Sequence, residues 1–180
     1  MNKNTPATPS FAAAVYAPKK GSRTALHLFV DQLKKSGVRV AGILQQKVPV
    51  QETGMTKVVA VDIQTGLTCS LNRPTRESWT NRECSLDRAA LTEVTAILRR
   101  AVSDKADLIV VEKFGDEEAH GGGLSGDIME GIAAGIPFLV AVPQTNLESW
   151  SARTGEAGAI LKFEETDFMA WWNHWLAEQD

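Results

Sequence analysis

Short apolar runs alternate with amphipathic segments along most of the chain, which predicts an α/β protein. The apolar run from Phe11 to Ala17 predicts a first buried strand, and Val38 to Leu44 predicts a second strand. The segment between them predicts a helix ended by Gly37, because its apolar residues recur at helical spacing: Leu26, Phe29, Val30 and Leu33. The chain therefore begins with a predicted βαβ unit.

The next segment predicts a β-hairpin. The polar stretch from Gln45 to Met55 contains proline and glycine and predicts a loop. Thr56 to Ile63 and Leu67 to Leu71 then alternate around Gln64-Thr65-Gly66, a turn sequence. We expect this hairpin to be appended to the main sheet, bending over an edge or over the site.

A second βαβ unit is predicted from Leu108 to Val142, after an amphipathic helix from Leu86 to Val102. Its strands are the apolar runs Leu108 to Val111 and Ile136 to Val142. Its helix is predicted to be capped by Ser125 and ended by Gly135.

The rest of the chain predicts a loop or short helix from Pro143 to Gly155, a last strand from Ala159 to Phe163, and a C-terminal helix. That helix carries an aromatic face, formed by Phe168, Trp171, Trp172, Trp175 and Leu176. Such a face is typical of a core or a subunit contact, so a homo-oligomer is a possible state. Together the elements predict a three-layer, mostly parallel, doubly wound sheet.

Composition sets the class of protein. With 180 residues, 43% of them hydrophobic, the chain fits a single domain over residues 11–180 after a polar, disordered tail over residues 1–10. A net charge of -3 gives no global basic field, so we expect no nucleic-acid partner. The two cysteines, Cys69 and Cys84, form no disulfide framework or metal-ligand motif, which favours the cytoplasm. No run approaches the roughly 18 apolar residues that a membrane helix needs.

Three consecutive glycines, Gly121 to Gly123, lie between a predicted strand and the helix that starts near Ser125. Glycines free the backbone to turn its amides toward an anion beside the positive end of a helix. The alternative is a tight turn only, since the run matches neither G-x-G-x-x-G nor G-x-x-x-x-G-K-[ST].

The first strand-to-helix turn, APKKGSRT over residues 17–24, is an altered version of G-x-x-x-x-G-K-[ST]. Its signature glycines are replaced by Ala17 and Ser22 and its lysine by Arg23, whereas Thr24 is retained. Lys20 adds charge, so the turn is a candidate oxyanion site through charge-assisted hydrogen bonds. The alternative is an ordinary solvated turn.

An arginine-rich stretch from Asn72 to Ser85 supplies a further candidate contact, Arg82. The guanidinium group presents a rigid fork of donors suited to phosphate-like groups. The alternative is local pairing of this stretch with Glu77 and Glu83.

The stretch K-F-G-x-x-E-x-x-G-x-G-L is matched by Lys113, Phe114, Gly115, Glu118, Gly121, Gly123 and Leu124. With CSLDRAAL from Cys84 to Leu91 and the segment around Trp150, it resembles a bacterial family of unknown function related to P-loop nucleoside triphosphatases. The resemblance implies a sheet of P-loop NTPase type and an association with molybdate transport genes.

The related triphosphatases carry D-E-x-G at the end of the same strand, where this chain has Glu112-Lys113-Phe114-Gly115. The resemblance thus implies that Lys113 replaces the carboxylate that positions the attacking water. Glu112 remains an acidic residue that could approach magnesium.

Three hypotheses follow. The first is a non-catalytic oxyanion binder, with molybdate or tungstate suggested by the resemblance and no metal in the site; its residues are Lys20, Ser22, Arg23, Thr24, Lys113, Gly121, Gly122, Gly123, Ser125 and Arg82. The second is a nucleoside triphosphatase or nucleotide-binding protein that uses Thr24 and Glu112 on magnesium, with Glu117 or Glu118 as the base. The third is an adaptor that binds a partner through the tryptophan helix.

Overall fold

The computed structural model describes residues 7–18, 23–51, 54–72 and 88–179. Within these ranges the strands are β1 (Phe11–Tyr16), β2 (Val40–Val50), β3 (Met55–Asp62), β4 (Thr68–Ser70), β5 (Leu108–Glu112), β6 (Phe138–Pro143) and β7 (Ala159–Lys162). The α-helices are α1 (Thr24–Lys35), α2 (Arg88–Ser103), α3 (Asp116–Ala119), α4 (Ser125–Ala133), α5 (Leu147–Arg153) and α6 (Glu165–Ala177), and a 3-10 turn spans Gln144–Asn146.

The described strands form one seven-stranded sheet in the order β4-β3-β2-β5-β6-β1-β7. The pairs from β2 to β7 in this order are parallel, whereas β2, β3 and β4 pair antiparallel. The predicted hairpin is therefore confirmed, and it extends one edge of the sheet. The carboxyl ends of the parallel strands meet at one rim, which is where open α/β sheets bind ligands.

Helices cover both faces of the sheet and make three layers. Alternate residues of β5 point to opposite faces, so Val110 packs with α1 and α6 while Ile109 packs with α2 and α4. Of the aromatic face on α6, Phe168, Trp171 and Trp172 are buried, and Leu176 is 39% exposed. The predicted three-layer, mostly parallel α/β fold is confirmed.

The predicted loop from Gln45 to Met55 is wrong over most of its length. Residues 45–50 continue β2 and pair with β3, in a register that sets Gln45 opposite Ala60 and Pro49 opposite Thr56. The pairing of β2 with β5 ends at Ile43, so beyond this point β2 has a neighbour on one side only. A proline and polar side chains are tolerated on such an edge, which explains why the sequence resembled a loop.

Two further local predictions need correction. Ser125 is the first residue of α4 rather than its cap, because Leu124 takes the N-cap position without a side-chain cap hydrogen bond. Thr8 and Pro9, assigned to the polar tail, are attached to α6: Thr8 N donates to Glu178 Oε2 at 2.7 Å, and Trp171 Nε1 donates to the Pro9 carbonyl at 3.0 Å.

In the part of the chain that is described, no helix combines the length and the apolar character required to cross a membrane.

Candidate functional site

A cleft of about 400 Å³ opens at the rim where the parallel strands end. It lies between the start of α1, the outer half of β2 and the last residue of β5. Its described lining is Arg23, Thr24, His27, Gln45, Gln46, Lys47 and Glu112. The first strand-to-helix turn thus meets the end of β5 here, because Arg23 contacts Glu112, the residue directly before Lys113.

Glu112 forms the floor of the cleft and is 1% exposed. Its Oε2 accepts a hydrogen bond from the Gln45 amide at 2.7 Å and lies 2.9 Å from His27 Nε2. Its Oε1 lies 3.1 Å from Arg23 Nε. That ion-pair contact lacks hydrogen-bond geometry, since Oε1 accepts no hydrogen bond from any described residue. We therefore treat the contact as charge attraction and Oε1 as a buried acceptor with spare capacity.

The charges around the cleft are mostly positive. Arg23, His27 and Lys47 line it against one carboxylate, that of Glu112. The hydrogen bond to Glu112 raises the pKa of His27 although burial opposes the rise. Tyr16, whose ring centroid is 5.8 Å from the Arg23 guanidinium carbon, has its pKa raised chiefly by burial. A protonated His27 leaves the cleft with a surplus of positive charge.

The glycine turn directs its backbone amides at the chain itself. Gly121 N donates to the Glu118 carbonyl at 3.0 Å and Gly122 N to the Glu117 carbonyl at 2.8 Å. The Glu118 carboxylate accepts hydrogen bonds from Gly115 N at 2.8 Å and Leu124 N at 3.0 Å. The Glu118 carboxylate is thus bound by amides that flank the three glycines, and the amides of Gly121 and Gly122 donate to backbone carbonyls rather than to the cleft.

Gly123 and Ser125 belong to the same closed turn. Gly123 has φ +52°, and a Cβ on it would lie 2.1 Å from Glu118 Oε1. Ser125 is 3% exposed, and its amide donates to the Gly122 carbonyl at 3.1 Å. Both residues therefore hold the turn in shape.

Lys113 follows β5 with φ +150°, an uncommon value for a residue with a side chain. The residue is exposed, and its Cε lies 3.3 Å from the point where a Cβ on Gly115 would stand. Its side chain therefore lies beside Gly115 and is not among the described residues that line the cleft.

The structure brings Arg23 and Thr24 into the cleft and places Lys113, Gly121, Gly122, Gly123 and Ser125 in the adjoining turn. Lys20, Ser22 and Arg82 lie outside the described residues.

The sequence analysis missed four cleft residues, His27, Gln45, Gln46 and Lys47. His27 stands four residues after Arg23, so both point from the same face of α1, and this spacing was a usable signal. Gln45, Gln46 and Lys47 were missed because their segment was predicted to be a loop and is part of β2.

The magnesium hypothesis assigned Thr24 and Glu112 to the ion, and both residues line the cleft. In the described ranges, no group of three or more His, Cys, Asp or Glu side chains could hold a metal ion. Glu112 faces two cationic side chains, Arg23 and His27, and Glu118 is held by two amides. These carboxylates do not fit a magnesium site in this arrangement.

Comparison with known proteins shows which family the chain is similar to. The model of a family described as "Protein of unknown function (DUF2478)" matches residues 11–171. The chain is 35% identical over 161 residues, or 89% of its length, to "Molybdenum import ATP-binding protein ModC 2" of Bradyrhizobium diazoefficiens, of which it spans 18%. That relative's name agrees with the predicted association with molybdate transport genes.

A solved structure titled "Solution Structure of a Human Cancer-Related Nucleoside Triphosphatase" has a TM-score of 0.60 to this chain, covering 84% of this chain and 86% of that one at 19% identity. The likeness confirms the predicted fold of P-loop NTPase type. Because the family model covers most of the chain, the protein belongs to the family of unknown function DUF2478.

Proposed function

We propose that the protein binds a small tetrahedral oxyanion in the rim cleft and does not hydrolyse nucleotides. The observation that carries the proposal is the convergence of Arg23, His27 and Lys47 on a cleft at the carboxyl ends of parallel strands. Guanidinium, imidazolium and ammonium groups are the donors that form charge-assisted hydrogen bonds with oxyanions.

Arg23 would make the principal contact. Its Nε faces Glu112, and its side chain is 26% exposed, so the guanidinium fork is accessible from the cleft. His27 is half-buried beside it, and its raised pKa favours the protonated form that an anion needs. The anion would exchange its water shell for these donors without a bridging metal.

The same geometry argues against hydrolysis. The resemblance implies that Lys113 replaces the carboxylate that positions water in the related triphosphatases, and Glu118 is bound by the amides of Gly115 and Leu124. Releasing Glu118 as a base would break two charge-assisted hydrogen bonds, each worth about 1.5–3 kcal/mol.

Molybdate or tungstate is the anion that we propose specifically. The support is the 35% identity to a protein named for molybdenum import. That name also contains the words ATP-binding, and the fold is that of a nucleoside triphosphatase. Nucleotide binding is therefore the second candidate, although the chain spans only 18% of that relative.

Thermal unfolding with molybdate, tungstate, sulfate, and ATP or GTP with magnesium distinguishes the candidates, because a ligand of the native state stabilises it by about 2.7 kcal/mol at a hundredfold excess over Kd. We expect stabilisation by an oxyanion and no phosphate release from nucleotides.

Two variants of equal charge change serve as the comparison. Arg23→Gln should abolish the oxyanion effect, whereas Arg39→Gln should keep it, because Arg39 pairs with Asp107 at the opposite end of the sheet. Stabilisation by magnesium nucleotide with turnover would establish the second candidate, and no response to any ligand would leave the adaptor hypothesis.

A further inference from the structure

We propose that His27 binds the oxyanion through Nδ1 and does so only as the imidazolium ion, so that an anion and a proton occupy the cleft together. This inference rests on the proposed function and adds to it the protonation state in which the site accepts an anion. Its support is the hydrogen bond that fixes the ring, the exposure of the side chain, and the charges around it.

The contact with Glu112 determines which ring nitrogen of His27 carries a hydrogen in the neutral form. Glu112 Oε2 accepts a hydrogen bond from the Gln45 amide at 2.7 Å and lies 2.9 Å from His27 Nε2. A carboxylate has no hydrogen to donate, so Nε2 must supply the one in this contact. The neutral ring is therefore the tautomer with its hydrogen on Nε2, and its Nδ1 carries a lone pair.

Nδ1 of His27 is left available to a ligand in the part of the chain that the structure describes. The other two histidines each direct Nδ1 at the carbonyl four residues earlier, Asp116 O at 2.6 Å for His120 and Ala170 O at 3.1 Å for His174. For His27 the described residues provide a partner to Nε2 alone. Its side chain is 37% exposed and lines the cleft, so an anion there can reach the ring.

Protonation reverses the role of Nδ1. A fully ionised oxyanion such as molybdate has only acceptor oxygens, so the lone pair of a neutral ring repels it. The imidazolium ion instead donates a hydrogen bond from Nδ1 and adds a positive charge, while its Nε2 keeps the hydrogen bond to Glu112. The same ring thus excludes the anion in one state and binds it in the other.

The charged groups around His27 act in both directions. On β5, the hydrogen bond to Glu112 raises the pKa of His27, against the effect of burial. On α1, Arg23 lowers this pKa and Asp31 raises it. Lys47 on β2 lines the same cleft and adds positive charge. A bound dianion adds negative charge beside the ring, which favours the imidazolium ion further, and by linkage the imidazolium ion favours the anion equally.

The affinity for molybdate should therefore depend on pH. Below the folded pKa of His27 the ring is already charged, so the affinity has no dependence on this group. Above that pKa, each anion bound brings one proton from solvent, and the affinity falls by up to about tenfold for each unit of rising pH. Hydrogen phosphate carries a hydroxyl group that can donate to the lone pair of Nδ1, so its affinity should fall less.

Proton NMR of the histidine rings tests the assignment directly. Sodium molybdate should raise the pKa of His27 in the unaltered protein. His120 and His174, whose Nδ1 atoms are bound to backbone carbonyls, should titrate unchanged. This measurement does not require a variant to fold.

Titration calorimetry with sodium molybdate, in buffers that differ in ionisation enthalpy, counts the proton. Uptake by the unaltered protein should rise from near zero below the pKa of His27 to about one proton per anion above it. In His27→Gln the uptake should vanish, and the affinity should be lower at low pH and independent of pH. His174→Gln, which replaces an exposed residue of α6, is the control and should behave as the unaltered protein does.

Binding of molybdate without a shift in the pKa of His27, or with uptake that persists in His27→Gln, would overturn this inference and leave the proposed function standing. An equal dependence of molybdate and hydrogen phosphate affinity on pH would contradict the acceptor role of the neutral Nδ1 and overturn it as well. Failure of molybdate, tungstate and phosphate to bind at any pH would remove both proposals.

Discussion

The side chain of Glu118 occupies the turn that the sequence predicted to bind an external anion. Its carboxylate accepts hydrogen bonds from Gly115 N and Leu124 N, on both sides of the glycine turn. Gly123 makes room for it, since any Cβ there would lie 2.1 Å from Glu118 Oε1. The glycine is therefore required by the internal carboxylate rather than by an external phosphate.

Replacing Gly123 by alanine should destabilise the protein by about 2–4 kcal/mol, from the positive φ and the displaced Glu118 carboxylate. The control is Gly126→Ala, because a Cβ on Gly126 meets nothing within 4 Å inside α4. The control should be neutral or stabilising by up to about 1 kcal/mol. Urea unfolding measures both, and equal effects of the two substitutions would show that Glu118 does not hold the turn.

His27 should give the protein a pH-dependent stability. Its pKa is raised in the folded state, mainly by the hydrogen bond to Glu112, so its contribution is full below the unfolded value of about 6.5. The contribution is lost as pH rises through the folded pKa. We expect the unfolding free energy of the unaltered protein to exceed that of His27→Gln most at low pH, with the difference shrinking above neutrality.

Urea unfolding at a series of pH values checks this expectation. His174→Gln, which replaces an exposed histidine on α6, is the control and should keep the pH dependence of the unaltered protein. A His27→Gln curve parallel to that of the unaltered protein would refute the expected linkage.

The sequence was sufficient to predict that Arg23 and Thr24 would lie in the cleft, because the altered motif fixes their place between the first strand and its helix. It did not show that Glu112 would be buried beneath Arg23, since that contact joins residues 89 positions apart through the pairing of β1, β6 and β5. It also could not distinguish a glycine turn that binds an external anion from one that closes around the Glu118 carboxylate, because both require glycines with positive φ.

An ion pair between Asp62 and Arg100 connects the hairpin of β3 and β4 to α2. Asp62 at the end of β3 is 3% exposed and accepts hydrogen bonds from Arg100 Nη2 at 2.6 Å and Thr65 Oγ1 at 2.7 Å. Burial acts to raise the pKa of Asp62, yet these bonds and the Gln64 amide together lower it. We expect the stability of the hairpin to depend on this ion pair, because only β3 pairs with the rest of the sheet and β4 lies at its edge.

Arg100→Gln should therefore cost about 1.5–3 kcal/mol, since it leaves a buried carboxylate without its counter-charge. The matched control is Arg99→Gln, the next residue of α2, whose side chain is 70% exposed and pairs with Asp127. The control should cost less than about 1 kcal/mol. Chemical unfolding gives both values, and an Arg99→Gln cost equal to that of Arg100→Gln would contradict the buried-charge argument.

Most helices and strands were predicted from the periodicity of hydrophobic residues, including α1 from its apolar face and β5 from its apolar run. The extension of β2 did not, because residues 45–50 lie at the edge where one side faces the hairpin alone. Edge pairing imposes no continuous apolar pattern and accepts Pro49. This one error also removed Gln45 and Lys47 from the predicted site.

The molecule as a whole combines a sheet of P-loop NTPase type with a rim at which two carboxylates, those of Glu112 and Glu118, are turned inward. Glu112 is bound under Arg23 and His27, and Glu118 under the glycine turn. Among the described residues, the cations that line the cleft come from two separate parts of the fold, the start of α1 and the outer half of β2. An anion bound between them would connect the main sheet to the hairpin side.

Lys47→Gln should therefore lower the affinity for the bound oxyanion about fivefold, because an exposed charge about 4 Å from an anion contributes about 1 kcal/mol in water. Lys57→Gln makes the same charge change on the neighbouring strand, outside the cleft lining, and should lower it less than twofold. Since exposed charges are screened by salt, the gap between the two variants should narrow as ionic strength rises. Titrations at low and high salt measure this, and equal losses in the two variants would mean that the anion is held by the overall field of the protein rather than by the cleft.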